Sequence, residues 1–191
     1  MNDGVKFEVN TDDGLLSGAR YCESPNQDER PAGQALELVV VHGISLPPGE
    51  FGGDYIEQLF TNKLDWTEHP YFEAIRGMEV SAHVLIRRDG EVVQFVPFHR
   101  RAWHAGQSSF RGRERCNDFA IGIELEGEDE TAYEDIQYST LAGVIAALIA
   151  AYPELDARHV AAHSDIAPGR KTDPGPAFDW LRLYDGLGSY S

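Results

Sequence analysis

One short run constrains this chain more than any other. Leu36 to Val41 (LELVVV) is β-branched and nearly all apolar, and it stops at His42. A run so short, apolar at successive rather than alternate positions, reads as a strand covered on both faces. Phe119 to Leu125 (FAIGIEL) has the same character, with Glu124 and Glu126 near its end. Between Glu134 and Tyr152 the residues Leu141, Val144, Ile145, Leu148, Ile149 and Tyr152 recur at three- and four-residue steps. That spacing predicts an amphipathic helix over one sheet face, ended by Pro153. Val80–Arg87 and Glu91–Val96, joined at Asp89-Gly90, predict a β-hairpin. His159–Ala162 predicts a short strand and Phe178–Tyr184 a last helix. These elements imply a single α/β domain with a central mixed β-sheet flanked by α-helices. The domain is expected over residues 36–185, with a partly extended N-terminal arm over 1–35 and a tail over 186–191.

The functional residues concentrate where regular structure should fail. Ala162 to Trp180 (AHSDIAPGRKTDPGPAFDW) sets His163, Asp165, Lys171 and Asp173 among Pro168, Gly169, Pro174, Gly175 and Pro176. Proline lacks the N–H and glycine favours turns, so a loop is expected, and polar loops on rigid scaffolds carry binding and catalysis. His42, at the end of a buried strand, opens onto the turn-rich GISLPPGEFGGD, the position where α/β folds place ligands. Two imidazoles and a carboxylate, His42, His163 and Asp173, suit a divalent zinc with a coordination position left open. Their spacing matches no compact zinc signature such as HExxH, so spacing alone leaves open the reading of hydrogen-bonded structural histidines. His69, His99 and His159 receive no role, and His83 is expected to support the site rather than to ligate.

Composition excludes some classes. With 16 Lys and Arg against 32 Asp and Glu, the formal charge is −16. An acidic surface argues against nucleic-acid and anionic-membrane partners. Cys22 and Cys116 are too few for a disulfide framework. No basic segment followed by an apolar run opens the chain, and the expectation is a soluble, cytoplasmic monomer.

Four blocks carry a resemblance: VVVHGISLPPGEFGG, VSAHVLIRRDGEVVQFVPFHRRAWHAGQSS, RGRERCNDFAIGIELEG and AHSDIAPGRKTDPGPAFDW. Together they resemble the zinc N-acetylmuramoyl-L-alanine amidases of the type 2 family, and more closely its cytosolic bacterial branch, the anhydro-N-acetylmuramyl-L-alanine amidases. The likeness runs from about Leu36 to Trp180. It implies a mixed sheet flanked by helices, zinc held by His42, His163 and Asp173, Glu124 as proton acceptor and Lys171 as the group facing the transition state. It also implies a small-molecule muropeptide substrate, cut between the lactyl group of (anhydro-)N-acetylmuramic acid and L-alanine during cytosolic peptidoglycan recycling. Arg115 is the candidate contact for a stem-peptide carboxylate, with Trp103 and His104 lining the sugar or peptide groove. Ala82 and Asp173 stand where phage and peptidoglycan-recognition relatives have tyrosine and cysteine, as expected of the cytosolic branch. Gly43 and Glu79 replace the Asn and Arg usual in the family, which bears on substrate choice. The competing readings are a non-catalytic muropeptide-binding module and a zinc peptidase acting within the stem peptide.

Overall fold

The computed structural model describes residues 7–189; the tip of the expected arm, residues 1–6, and the last two residues of the tail lie outside the described residues. In chain order the elements are β1 (Val9–Asn10), β2 (Leu15–Leu16), β3 (Arg20–Tyr21), β4 (Gln27–Glu29), β5 (Leu38–Ile44), α1 (Tyr55–Phe60), α2 (Pro70–Ala74), β6 (Val84–Ile86), β7 (Val92–Gln94), β8 (Arg100–Ala102), β9 (Ser109–Phe110), β10 (Arg113–Glu114), β11 (Ala120–Glu126), α3 (Asp135–Ala151), β12 (Val160–Ala162), α4 (His163–Ile166) and α5 (Trp180–Gly188). A six-stranded mixed sheet, ordered β12-β5-β11-β6-β7-β3, is the frame. Strands β12, β5, β11 and β6 run parallel, and β7 returns antiparallel to β6.

The two apolar runs sit at the centre as β5 and β11, paired residue for residue from Ala120↔Leu38 to Glu126↔Ile44. Side chains alternate across a strand. Val39, Val41, Ile121, Ile123 and Leu125 therefore pack with Leu141, Val144, Ile145 and Leu148 of α3. Leu38, Val40 and Ala120 face the other way, against Phe119 and Ile166. A third cluster packs Phe60 and Phe72 of the long 45–79 connection on Leu85, Val93 and Phe95.

Three expectations change. Helix α3 fills the predicted span but is not amphipathic, because Tyr138 and Ala142 are also buried, in a core shared with Leu183 and Leu187 of α5. Covered by the sheet and by α5, it leaves little of its surface to water. Buried Gln137 ties it in, donating to the Ile86 and Glu126 carbonyls and accepting from the Glu134 N–H at its N-terminus. The expected loop after Ala162 begins with the single turn of α4, which fits before Pro168. Helix α5 starts two residues later than expected, where Asp179 accepts from the Arg182 N–H.

The N-terminal stretch is structural. β3 completes the main sheet and β4 pairs with β8. Arg30, half-buried and without a carboxylate partner among the described residues, donates to the carbonyls of Phe98, Asn117, Asp118 and Ala120. Burial pulls its pKa down to about 10, so it keeps its charge at neutral pH.

An ionic chain fastens the 45–79 connection to the sheet. Glu57 on α1 accepts from Arg20 at 2.7 Å and from Arg87 at 2.7 Å, and Glu126 accepts from the Gly52 N–H at 2.6 Å. The hydrogen bond from Arg20, joined by that from Arg87, holds the Glu57 carboxyl at about 2. A folded-state pKa below the unfolded one stabilises at pH above about 4.5 and loses that contribution as pH falls toward 2. Glu57→Gln is expected to be less stable than wild type at pH 7, with a shallower loss of stability between pH 5 and 2. Denaturant unfolding across that range checks it, and parallel curves would show that Glu57 does not carry the acid limb.

Candidate metal and catalytic centre

Strand register builds the centre. Glu124 pairs with His42 across β11 and β5, and Ala162 pairs with Val41 across β12 and β5. His163, the next residue, therefore continues the same row, and positions 163, 42 and 124 meet at the C-terminal edge of three adjacent parallel strands. The breaker-rich loop then returns Asp173 to them. Its carbonyl accepts from the Ser164 N–H at 3.1 Å, and its Oδ2 lies 3.1 Å from His163 Nδ1 and 3.4 Å from His42 Nδ1.

The donor set fits a metal ion. His42 Nδ1 and His163 Nδ1 face each other at 2.9 Å, and the ligand atoms of His42, His163 and Asp173 all lie within 4.8 Å of one another. Two ring nitrogens and a carboxylate oxygen converging on one point suit a divalent cation of zinc's preferences. Burial, opposed by the hydrogen bond to Asp173, lowers the His42 pKa to about 4, leaving the neutral imidazole that ligation requires. Burial works to raise the Asp173 carboxyl, but its hydrogen bonds to His163 and His42 prevail and hold it below the usual range.

Glu124 is suited to proton transfer. Its Oε1 lies 4.0 Å from His42 Nδ1, while Oε2 is buried with no hydrogen-bond partner among the described residues. Burial and the Asp173 charge hold its pKa well above the ordinary carboxylate value, with Lys171 acting in opposition. A cavity of about 800 Å³ opens over the row, bordered by apolar Ile75, Met78, Val80 and Trp103 and by charged Lys171 and Arg170.

The family model described as N-acetylmuramoyl-L-alanine amidase matches residues 32–176. The chain belongs to the N-acetylmuramoyl-L-alanine amidase family. Among its relatives, the 1,6-anhydro-N-acetylmuramyl-L-alanine amidase AmpD of Escherichia coli K12 is 61% identical over 170 residues, covering 89% of this chain and 92% of the relative. A selenomethionine AmpD crystal structure superposes with a TM-score of 0.90 at 57% identity, covering 94% of this chain and 98% of that one. AmpDh3 of Pseudomonas aeruginosa, solved in complex with anhydromuramic pentapeptide, gives a TM-score of 0.59 at 28% identity over 82% of this chain and 61% of that chain.

In this amidase the expected residues do not all converge. His42, His163, Asp173 and Glu124 meet in the row, and Lys171 and Trp103 border the cavity above it. His104 also borders the cavity, but its ring is turned inward. Its Nδ1 lies 2.9 Å from His42 Nε2, and its Nε2 is buried. Arg115 stands apart, 72% exposed and paired with Asp118 at 3.2 Å. It lines a second depression of about 410 Å³, and Arg170 borders both. His83 is one strand further, its Nδ1 accepting from the Gly122 N–H at 3.0 Å.

The amidase also uses residues the motifs do not mark. Tyr133 donates to the Pro174 carbonyl at 2.9 Å, steadying the loop that presents Asp173. A Cβ on Gly43 would lie 2.4 Å from the Tyr133 hydroxyl, so here tyrosine fills the space a side chain at 43 would need. Glu79 is exposed, and only its neighbours Met78 and Val80 border the cavity. Nothing in the sequence singles out Tyr133. Among the described residues no helix is long and apolar enough to cross a membrane.

Proposed function

We propose that the chain hydrolyses the amide joining the lactyl group of anhydro-N-acetylmuramic acid to L-alanine of the stem peptide, as a zinc-dependent monomer in the cytoplasm, within peptidoglycan recycling. The observation that carries this is near-full-length 61% identity to an enzyme named for that bond. The row of His42, Glu124 and His163, closed by Asp173, supports it from the chemistry.

His42, His163 and Asp173 would hold the zinc. When bound, zinc supplies a nucleophile at neutral pH and a Lewis acid for the scissile carbonyl. Glu124 takes the proton of the attacking water as the new C–O bond forms, and returns it to the alanine nitrogen as the C–N bond breaks. Its raised pKa makes it the stronger base for the first transfer and a ready acid for the second. The Lys171 ammonium, on the cavity rim, faces charge developing on the lactyl oxygen, a contact typically worth about 3–4 kcal/mol of barrier. Trp103 with Ile75 and Met78 offers an apolar bed for the sugar, and the Arg115 depression, reached past Arg170, offers cations to stem-peptide carboxylates.

Mass spectrometry of products from a defined anhydro-muropeptide tests the reading. The expected products are free anhydro-N-acetylmuramic acid and an intact stem peptide with L-alanine at its N-terminus. Cleavage inside the stem would replace the proposal with a peptidase. Binding without cleavage would replace it with a receptor.

A further inference from the structure

The two imidazoles proposed as ligands each turn an outer nitrogen away from the centre, and one dipeptide receives both. His42 turns Nδ1 to the centre and Nε2 toward His104 Nδ1, 2.9 Å away. His163 also turns Nδ1 to the centre, and its Nε2 lies 3.3 Å from the carbonyl oxygen of Ala105. A histidine that ligates through Nδ1 carries its proton on Nε2, and the acceptor there fixes tautomer and ring orientation. Successive residues, 104 and 105, thus offer one acceptor to each ligand.

This segment is held in place from three sides. Asn117 Oδ1 accepts from the N–H groups of His104 and Ala105 at 3.2 and 2.8 Å. Arg170 Nη2 donates to the Ala105 carbonyl at 2.5 Å. On β11, Gly122 leaves the gap in which the His104 ring lies, since a Cβ there would come within 2.4 Å of its Cγ. Glycine inside a buried strand weakens it and marks close approach by another group, here the imidazole.

We infer that His104 is a positioning residue, whose Nδ1 accepts the His42 Nε2 proton and so aims the His42 lone pair at the metal, with the Ala105 carbonyl doing the same for His163. The inference rests on the zinc site proposed above. It gives His104, which borders the cavity, a second place as support beneath the ligands.

Zinc affinity by competition with a chromogenic chelator, and the visible bands of the cobalt-substituted protein, are the readouts. His104→Leu is expected to weaken zinc binding about 10- to 100-fold and to shift the cobalt bands. His104→Asn, whose amide oxygen lies near the place of Nδ1, is expected to recover most of the affinity. Should His104→Leu fail to fold, Gly122→Ala replaces it, because its Cβ displaces the ring while leaving His104 present. The same loss is expected there. Wild-type affinity and bands in the displacing variant, or no recovery in His104→Asn, would overturn the role of His104. A wild-type protein that takes up no zinc would overturn the site itself, and with it this inference.

Discussion

Replacing Glu124 by glutamine is expected to lower turnover by about 10²- to 10⁴-fold while zinc content and folding stay at wild-type levels. The substitution keeps the shape of a side chain that is largely buried and removes its ability to accept a proton. Its Oε2 has no hydrogen-bond partner among the described residues, so an amide nitrogen there breaks no existing bond. His42, His163 and Asp173 keep one another's company without it. The comparison needs turnover, metal content and thermal midpoint on the same preparation. Near-normal turnover with zinc bound would remove Glu124 from the chemistry.

Stripping the metal is expected to act more severely, taking turnover to background, with recovery on adding back zinc. His163→Ala should show the same loss without recovery, because two of the converging donors cannot hold the ion as three do. The segment beneath His163 should survive that change, since Arg170 still donates to the Ala105 carbonyl. Metal removal should also lower the thermal midpoint, because an ion bound to the folded state alone stabilises by about 4 kcal/mol at a thousandfold excess over its Kd. Full activity in metal-free protein would end the zinc reading.

The central strands were legible because β-branched runs such as Val39–Val41 have few ways to be buried. His42 and His163 were legible as strand-end histidines for the same reason. Their adjacency to Glu124 was not, since it depends on the pairing Glu124↔His42, and a single sequence does not state which strands pair. Asp173 was put forward from its residue type beside the two histidines, and the resemblance strengthened that choice, since nothing local separates it from the other aspartates of its loop. His104 borders the cavity as RAWHAG suggests, but the contact of its ring with His42 was not legible. What turns the ring inward is a missing side chain at Gly122, which is remote in sequence. The two- and three-residue strands of the N-terminal stretch carry too little periodicity to be seen, and so that stretch reads as an arm.

Arg30 gives that stretch a practical meaning. The family match opens at residue 32, two positions after the guanidinium that serves four carbonyls. A clone trimmed to the matched boundaries would discard that cation together with the edge strand β3, and at the other end the helix roofing α3. Such a fragment would bare dry backbone oxygens and a greasy helix face, and inclusion bodies would be its expected fate. The smallest useful expression unit therefore runs from at least β3 through α5.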